Sequence, residues 1–152
     1  MKRNEKGFTL IELLAVIIIL AIIALIAIPT ITGIIDNSRE KAAADTTYGV
    51  ISAIELWYST EMLNMNGDSP FAANANPSVS CSSGTCQVAQ DDVASGVSTR
   101  VIAVKGDVPS AGTFTVSAND GSVTAMSGVT VNGKSCSLSN NKVTCSNPSS
   151  GS

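Results

Sequence analysis

The chain has 152 residues and a formal net charge of −3, enough for one domain of ordinary size and too acidic for general attraction to nucleic acid. Histidine is absent, which removes the commonest general base, nucleophile activator and metal ligand together. With no nucleophile–base constellation in its place, the composition points away from an enzyme.

The first element is strongly apolar. Met1-Lys-Arg-Asn-Glu-Lys-Gly7 is followed by Phe8-Thr-Leu-Ile-Glu12 and an unbroken apolar run, Leu13–Ile28. As a helix, 8–28 spans about 31 Å at about 1.5 Å per residue, enough to cross a bilayer core of about 30 Å. A secretory signal peptide has a shorter apolar region. An uncleaved anchor with its basic end in the cytoplasm fits the charge pattern but leaves Glu12 unexplained. A carboxylate in a membrane helix is costly and generally has a partner. Removing 1–7 takes away Lys2, Arg3, Lys6 and Glu5, leaving six basic and eleven acidic residues.

Lys6-Gly7-Phe8-Thr9-Leu10-Ile11-Glu12-Leu13-Leu14 resembles the processing motif of type IV prepilins and the related pseudopilins. The resemblance covers residues 1 to about 30 and implies a class III leader, 1–7, removed by a prepilin peptidase after Gly7. It further implies methylation of the new N-terminal Phe8 and a need for Glu12 in subunit assembly. Pro29 stands where many members of that family carry a proline. Glycine at the cut makes physical sense, since it presents no side chain to the peptidase and disfavours helix. Glu12 makes sense after the cut, when it can neutralise the Phe8 amine of a neighbouring subunit.

Beyond 8–28, the segment 29–66 continues as the amphipathic half of one long helix. Pro29 removes a backbone hydrogen bond and is expected to kink or loosen it. Val50, Ile51, Ile54, Trp57, Tyr58 and Met62 recur at spacings of three and four, a stripe for packing on a core. Asn66-Gly-Asp-Ser-Pro70 ends the helix. Residues 67–100, rich in Ser, Ala, Asn and Gly, are expected to form an irregular connecting loop. The resemblance raises calcium at Asp91-Asp92; adjacent aspartates are more often a solvated loop, and no metal or other cofactor is assigned.

Residues 101–146 carry short β-patterned runs separated by Asn119-Asp-Gly121, Asn132-Gly133 and Asn140-Asn141, hairpin signals that predict an antiparallel sheet. Residues 147–152 are expected to form a frayed tail. The four cysteines, with spacings Cys-x4-Cys and Cys-x8-Cys, suit disulfides in an exported head better than zinc. A two-residue turn at Asn140-Asn141 sets Cys136 opposite Cys145, the geometry of a cross-strand disulfide. That leaves Cys81–Cys86, with the other two connectivities open.

The expected fold is α+β, a long N-terminal helix packed on a C-terminal antiparallel sheet. The resemblance implies a structural subunit of a type IV pilus, or of a type II secretion or competence pseudopilus. Its partners would be the prepilin peptidase, copies of itself and other pilins, and the pilus assembly platform in the membrane. The precursor would sit in the cytoplasmic membrane with its head exported, and the mature chain in a cell-surface filament. No basic aromatic stripe marks a nucleic-acid site. The rival of another class is an uncleaved, membrane-anchored extracellular binding module.

Overall fold

A computed structural model of the chain describes residues 9–72 and 77–148. Gly7 and Phe8, the residues of the expected cut, lie outside them. The chain divides into two compact units, Met1–Ser38 and Arg39–Ser152. Helix α1, Leu10–Asn64, provides residues 10–38 to the first and 39–64 to the second. Pro29 lies inside α1, and helix is formed on both sides of it. The Thr30 hydroxyl donates to the Ala27 carbonyl at 2.8 Å and the Thr32 hydroxyl to the Pro29 carbonyl at 3.0 Å. Carbonyls in the turns around the proline thereby gain side-chain donors.

The second unit is a sheet covered on one face by residues 39–64 of α1. Its strands are β1 (Ser78–Ser82), β2 (Thr85–Val88), β3 (Val101–Ile102), β4 (Ala111–Val116), β5 (Val123–Val131), β6 (Lys134–Ser139) and β7 (Lys142–Ser146). They form one seven-stranded sheet in the order β3-β2-β1-β4-β5-β6-β7, antiparallel at every pairing.

The sheet starts well before residue 101. The stretch 67–100, expected to be irregular, holds β1, β2 and a single 3-10 turn, Gln90–Asp92. Between the turns at Asn119-Asp-Gly121 and Asn132-Gly133 the chain forms one strand, β5, of nine residues. The early start of the sheet has a physical cause. The outward positions of β1 are Ser80 and Ser82, residues of low intrinsic strand preference, and the inward Val79 and Cys81 are what the sheet buries. Pairing with β4, from Ser78 opposite Thr115 to Ser82 opposite Ala111, makes the strand, and such long-range pairing leaves no local signal.

Three hairpins have two-residue turns whose residues both have positive φ: Ser83-Gly84, Asn132-Gly133 and Asn140-Asn141. This is the turn type that matches strand twist. Two of these turns set cysteines directly opposite each other. Cys81–Cys86 and Cys136–Cys145 are both bridged, each with Cα atoms 4.1 Å apart.

The core lies between α1 and the sheet. Ala43, Thr47, Val50, Ile54, Trp57, Tyr58 and Glu61 are the buried residues of the helix, one stripe at spacings of three and four. They meet Val79, Val88, Ile102, Phe114, Val116, Val129, Val131 and Val143. Phe71 packs near Trp57 and Tyr58, with ring centroids 5.8 and 5.6 Å away, within the range favourable for aromatic pairs. The polar ends of the large side chains are satisfied: Trp57 Nε1 donates to the Thr99 carbonyl at 2.9 Å, and the Tyr58 hydroxyl donates to that of Asn119 at 3.0 Å. Tyr48 reaches the sheet's β7 edge, where its hydroxyl accepts the Val143 N–H at 2.9 Å.

Candidate assembly segment

Residues 10–28 of α1 bury no side chain. Leu10 is 85% exposed, Leu25 77% and even Leu14 48%, and the apolar positions are not confined to one stripe. A helix apolar on every face is stable only where every face meets apolar material, in a membrane or among other helices. Length and composition suffice for α1 to cross a membrane.

Glu12 sits at the start of this helix, and its local setting is specific. Thr9 precedes the first helical residue. Its backbone N–H donates to Glu12 Oε2 at 2.9 Å and its hydroxyl donates to the same oxygen at 2.8 Å. The Glu12 N–H lies 3.4 Å from Thr9 Oγ1. This is a reciprocal capping box, which satisfies backbone donors that a helix start otherwise leaves orphaned and places a carboxylate at the positive end of the helix dipole. Thr9 was not singled out from sequence, although Thr-x-x-Glu ahead of an apolar run is the sequence signature of such a box. The chemistry available to Glu12 is therefore twofold: it organises the first turn of its own helix, and it presents a carboxylate to a cation.

The other candidate residues are structural within the second unit. Asp92 Oδ2 accepts the Ser78 N–H at 3.0 Å and hydroxyl at 3.1 Å, so this carboxylate ties the 3-10 turn to β1. Among the described residues, no cluster of three or more His, Cys, Asp or Glu side chains is placed to hold a metal ion. Asp120 takes hydrogen bonds from Ser117 and from Ser122, the latter through its N–H at 3.2 Å and hydroxyl at 2.9 Å. These bonds hold its carboxyl below the usual range.

Glu61 was missed in the sequence because it lies one turn beyond Trp57 on the buried stripe, where an apolar residue is the default. It is 2% exposed. Its carboxylate accepts the Ser98 N–H at 3.0 Å and a short bond from the Ser98 hydroxyl, pinning the segment before β3 to the helix. Burial pushes its carboxyl up, but the Ser98 hydrogen bonds and one from Asn64 outweigh burial and leave it below the usual value.

Residues 2–28 match the family model of the prokaryotic N-terminal methylation motif. The N-terminus is thus a class III signal peptide of the type IV pilin kind, and 29–152 lie outside the match. Searches of curated proteins and of solved structures gave no match.

Proposed function

We propose that this chain is a structural subunit of a type IV pilus or related pseudopilus, cut after Gly7, methylated on Phe8 and polymerised through residues 8–28. The observation that carries this reading is the coincidence of the methylation motif with a helix exposed and apolar on all its faces, opened by one carboxylate. A signal segment that is simply discarded needs no organised acid at its start. One that remains and packs among copies of itself does, because each new amine must be neutralised away from water.

In this reading the precursor is held in the cytoplasmic membrane by 8–28 with its disulfide-bonded head outside. A prepilin peptidase removes 1–7. The assembly platform then transfers the subunit from lipid to filament, exchanging lipid contacts for helix–helix contacts. Glu12 meets the Phe8 amine of an adjacent subunit and sets the axial position at which the helices lock. The head contributes the filament's outer surface.

The decisive experiment is to isolate the chain from membranes and sheared surface filaments and determine its N-terminus by mass spectrometry. The expected mature chain begins at N-methylated Phe8. A chain retaining Met1, found in membranes alone, overturns the proposal in favour of an uncleaved anchored module. Gly7→Val should accumulate full-length precursor, and normal shortening of that variant would misplace the cut.

A further inference from the structure

Lys134 opens β6 and faces the core, where it is only 4% exposed. An inward lysine at a sheet position otherwise reserved for Val and Cys calls for an explanation. Its Nζ lies 2.7 Å from Asn147 Oδ1 and 3.6 Å from Glu40 Oε1. Ser135 pairs with Ser146, so Lys134 and Asn147 are the next positions of the same two-stranded ladder. Cys136–Cys145, the neighbouring inward pair, is already joined covalently. Glu40, on α1, belongs to the same compact unit.

We propose that Lys134 and Asn147 become joined by an intramolecular amide bond, with Glu40 as the catalytic acid–base. The reaction balances without any co-reactant. Glu40 takes one proton from the Lys134 ammonium, freeing the nitrogen lone pair to attack the Asn147 side-chain carbonyl carbon, one bond beyond the oxygen already within hydrogen-bond reach. A new C–N bond forms. The carboxamide C–N bond breaks, and its nitrogen leaves as ammonia after gaining a proton from the attacking nitrogen. Glu40 gives its proton to that ammonia, so the products are a Lys134–Asn147 amide and one ammonium ion.

Three features favour this chemistry over a simple polar contact. Nucleophile and proton carrier sit on β6 and α1 and the electrophile on the residue just after β7, all in one folded unit, which turns a slow bimolecular aminolysis into an intramolecular one. Asn147 is exposed, so the ammonia has a way out. Pro148 follows Asn147 and has no backbone N–H, so the usual competing attack of the next backbone nitrogen on an asparagine side chain is blocked. The product would lock the C-terminal strand with a link that reductants cannot open, beside a disulfide that they can.

The test uses the full chain as isolated from cells. Its intact mass should be lower by one ammonia than its determined N-terminus, with any methyl group there and two disulfides, requires. Trypsin should fail to cut after Lys134, and tandem spectra should show one branched peptide containing residues 134 and 147. Lys134→Arg and Asn147→Ala should each restore the missing mass, and Glu40→Gln should leave most of the chain unlinked. Linear peptides carrying unmodified Lys134 and Asn147 from the wild-type chain overturn the proposal. So does an ammonia loss that maps instead to Asn66 or Asn132, each of which precedes a glycine.

Discussion

The two parts of α1 both carry large aliphatic residues, and those residues meet opposite fates. In residues 10–38, Ile26 is 66% exposed and Ile34 66%; in residues 39–64, Ile54 and Val50 are both fully buried. Apolar composition alone does not decide burial. The second part has a sheet to lie on, folded from its own chain and stapled by two disulfides, whereas among the described residues the first has no partner surface in its own unit. Burying a Leu or Ile is worth about 1.5–3 kcal/mol, and the first part carries a long series of them. Under the proposed function its stabilisation is deferred to a membrane and then to other subunits, and assembly draws on what folding leaves unused.

The largest effect should come from striking the first part at Glu12, the acid at the start of its apolar run. Glu12→Ala removes both the carboxylate that the proposed function offers to a neighbour's amine and one side of the Thr9 capping box. Filament yield should fall to few or none, counted by electron microscopy beside equal amounts of processed, disulfide-bonded subunit in membranes. Thr9→Val keeps the charge but removes the hydroxyl that holds it, so its yield should lie between wild type and Glu12→Ala. Wild-type yield from Glu12→Ala would show that apolar packing alone drives assembly.

The converse test breaks the second part and leaves the first untouched. Residues 39–152 contain the whole buried core and both disulfides, and expressed alone in an oxidising compartment they should fold as a soluble unit. In that fragment Phe114→Ala should cost about 3–5 kcal/mol, because Phe114 is fully buried and truncation leaves a cavity. Denaturant titration would measure it. Gly121→Ala should cost about 2–4 kcal/mol from overpacking and left-handed strain together. Gly121 has φ +74°, and a Cβ there would stand 2.3 Å from Cγ of Tyr58. The ring has little room to yield, since its hydroxyl is bonded to the Ala118 and Asn119 carbonyls. A cost below about 0.5 kcal/mol, the usual level of a neutral surface change, would mean that the turn shifts away.

These same residues indicate what the sequence made legible. The apolar run, the helical stripe through Val50, Ile54, Trp57 and Tyr58, and the turn at Asn140-Asn141 are local signals, and each lies where its periodicity or turn chemistry put it. The Cys136–Cys145 register followed from that turn. The strand β1 was hidden because its identity comes from pairing with β4, some thirty residues away in sequence by the registers, and β2 because it lies between β1 and the two-residue β3, while Ser and Gly suggest loop. Thr9 was hidden by its neighbours: an acid in an apolar run draws attention, and the threonine that caps with it does not. Glu61 was hidden for a stronger reason, since only the fold brings Ser98 to it across 37 positions of sequence.

Glu61 provides the smallest and most specific test of the second part's self-sufficiency. A buried carboxylate with satisfied hydrogen bonds supports the fold only while ionised. Its folded-state pKa is lowered from the unfolded reference of 4.5. The contribution is thus fully present above that reference and is lost as pH falls through the folded value. Glu61→Gln keeps the size but offers an amide N–H₂ where the site presents donors, so one bond from Ser98 lacks its acceptor. At pH 7 the variant fragment should be less stable by about 1–2 kcal/mol. As pH is taken down from about 5, the gap should narrow, because the wild-type carboxyl protonates and loses the same advantage. Asp120, whose carboxyl is also held low, titrates in both proteins, so the difference between the two stability curves isolates Glu61. Urea midpoints at several pH values from 7 down to 3 would trace that difference. A gap that stays constant through the acid range would show that Glu61 supports the fold by shape alone and that its charge is not what holds the segment before β3 against the helix.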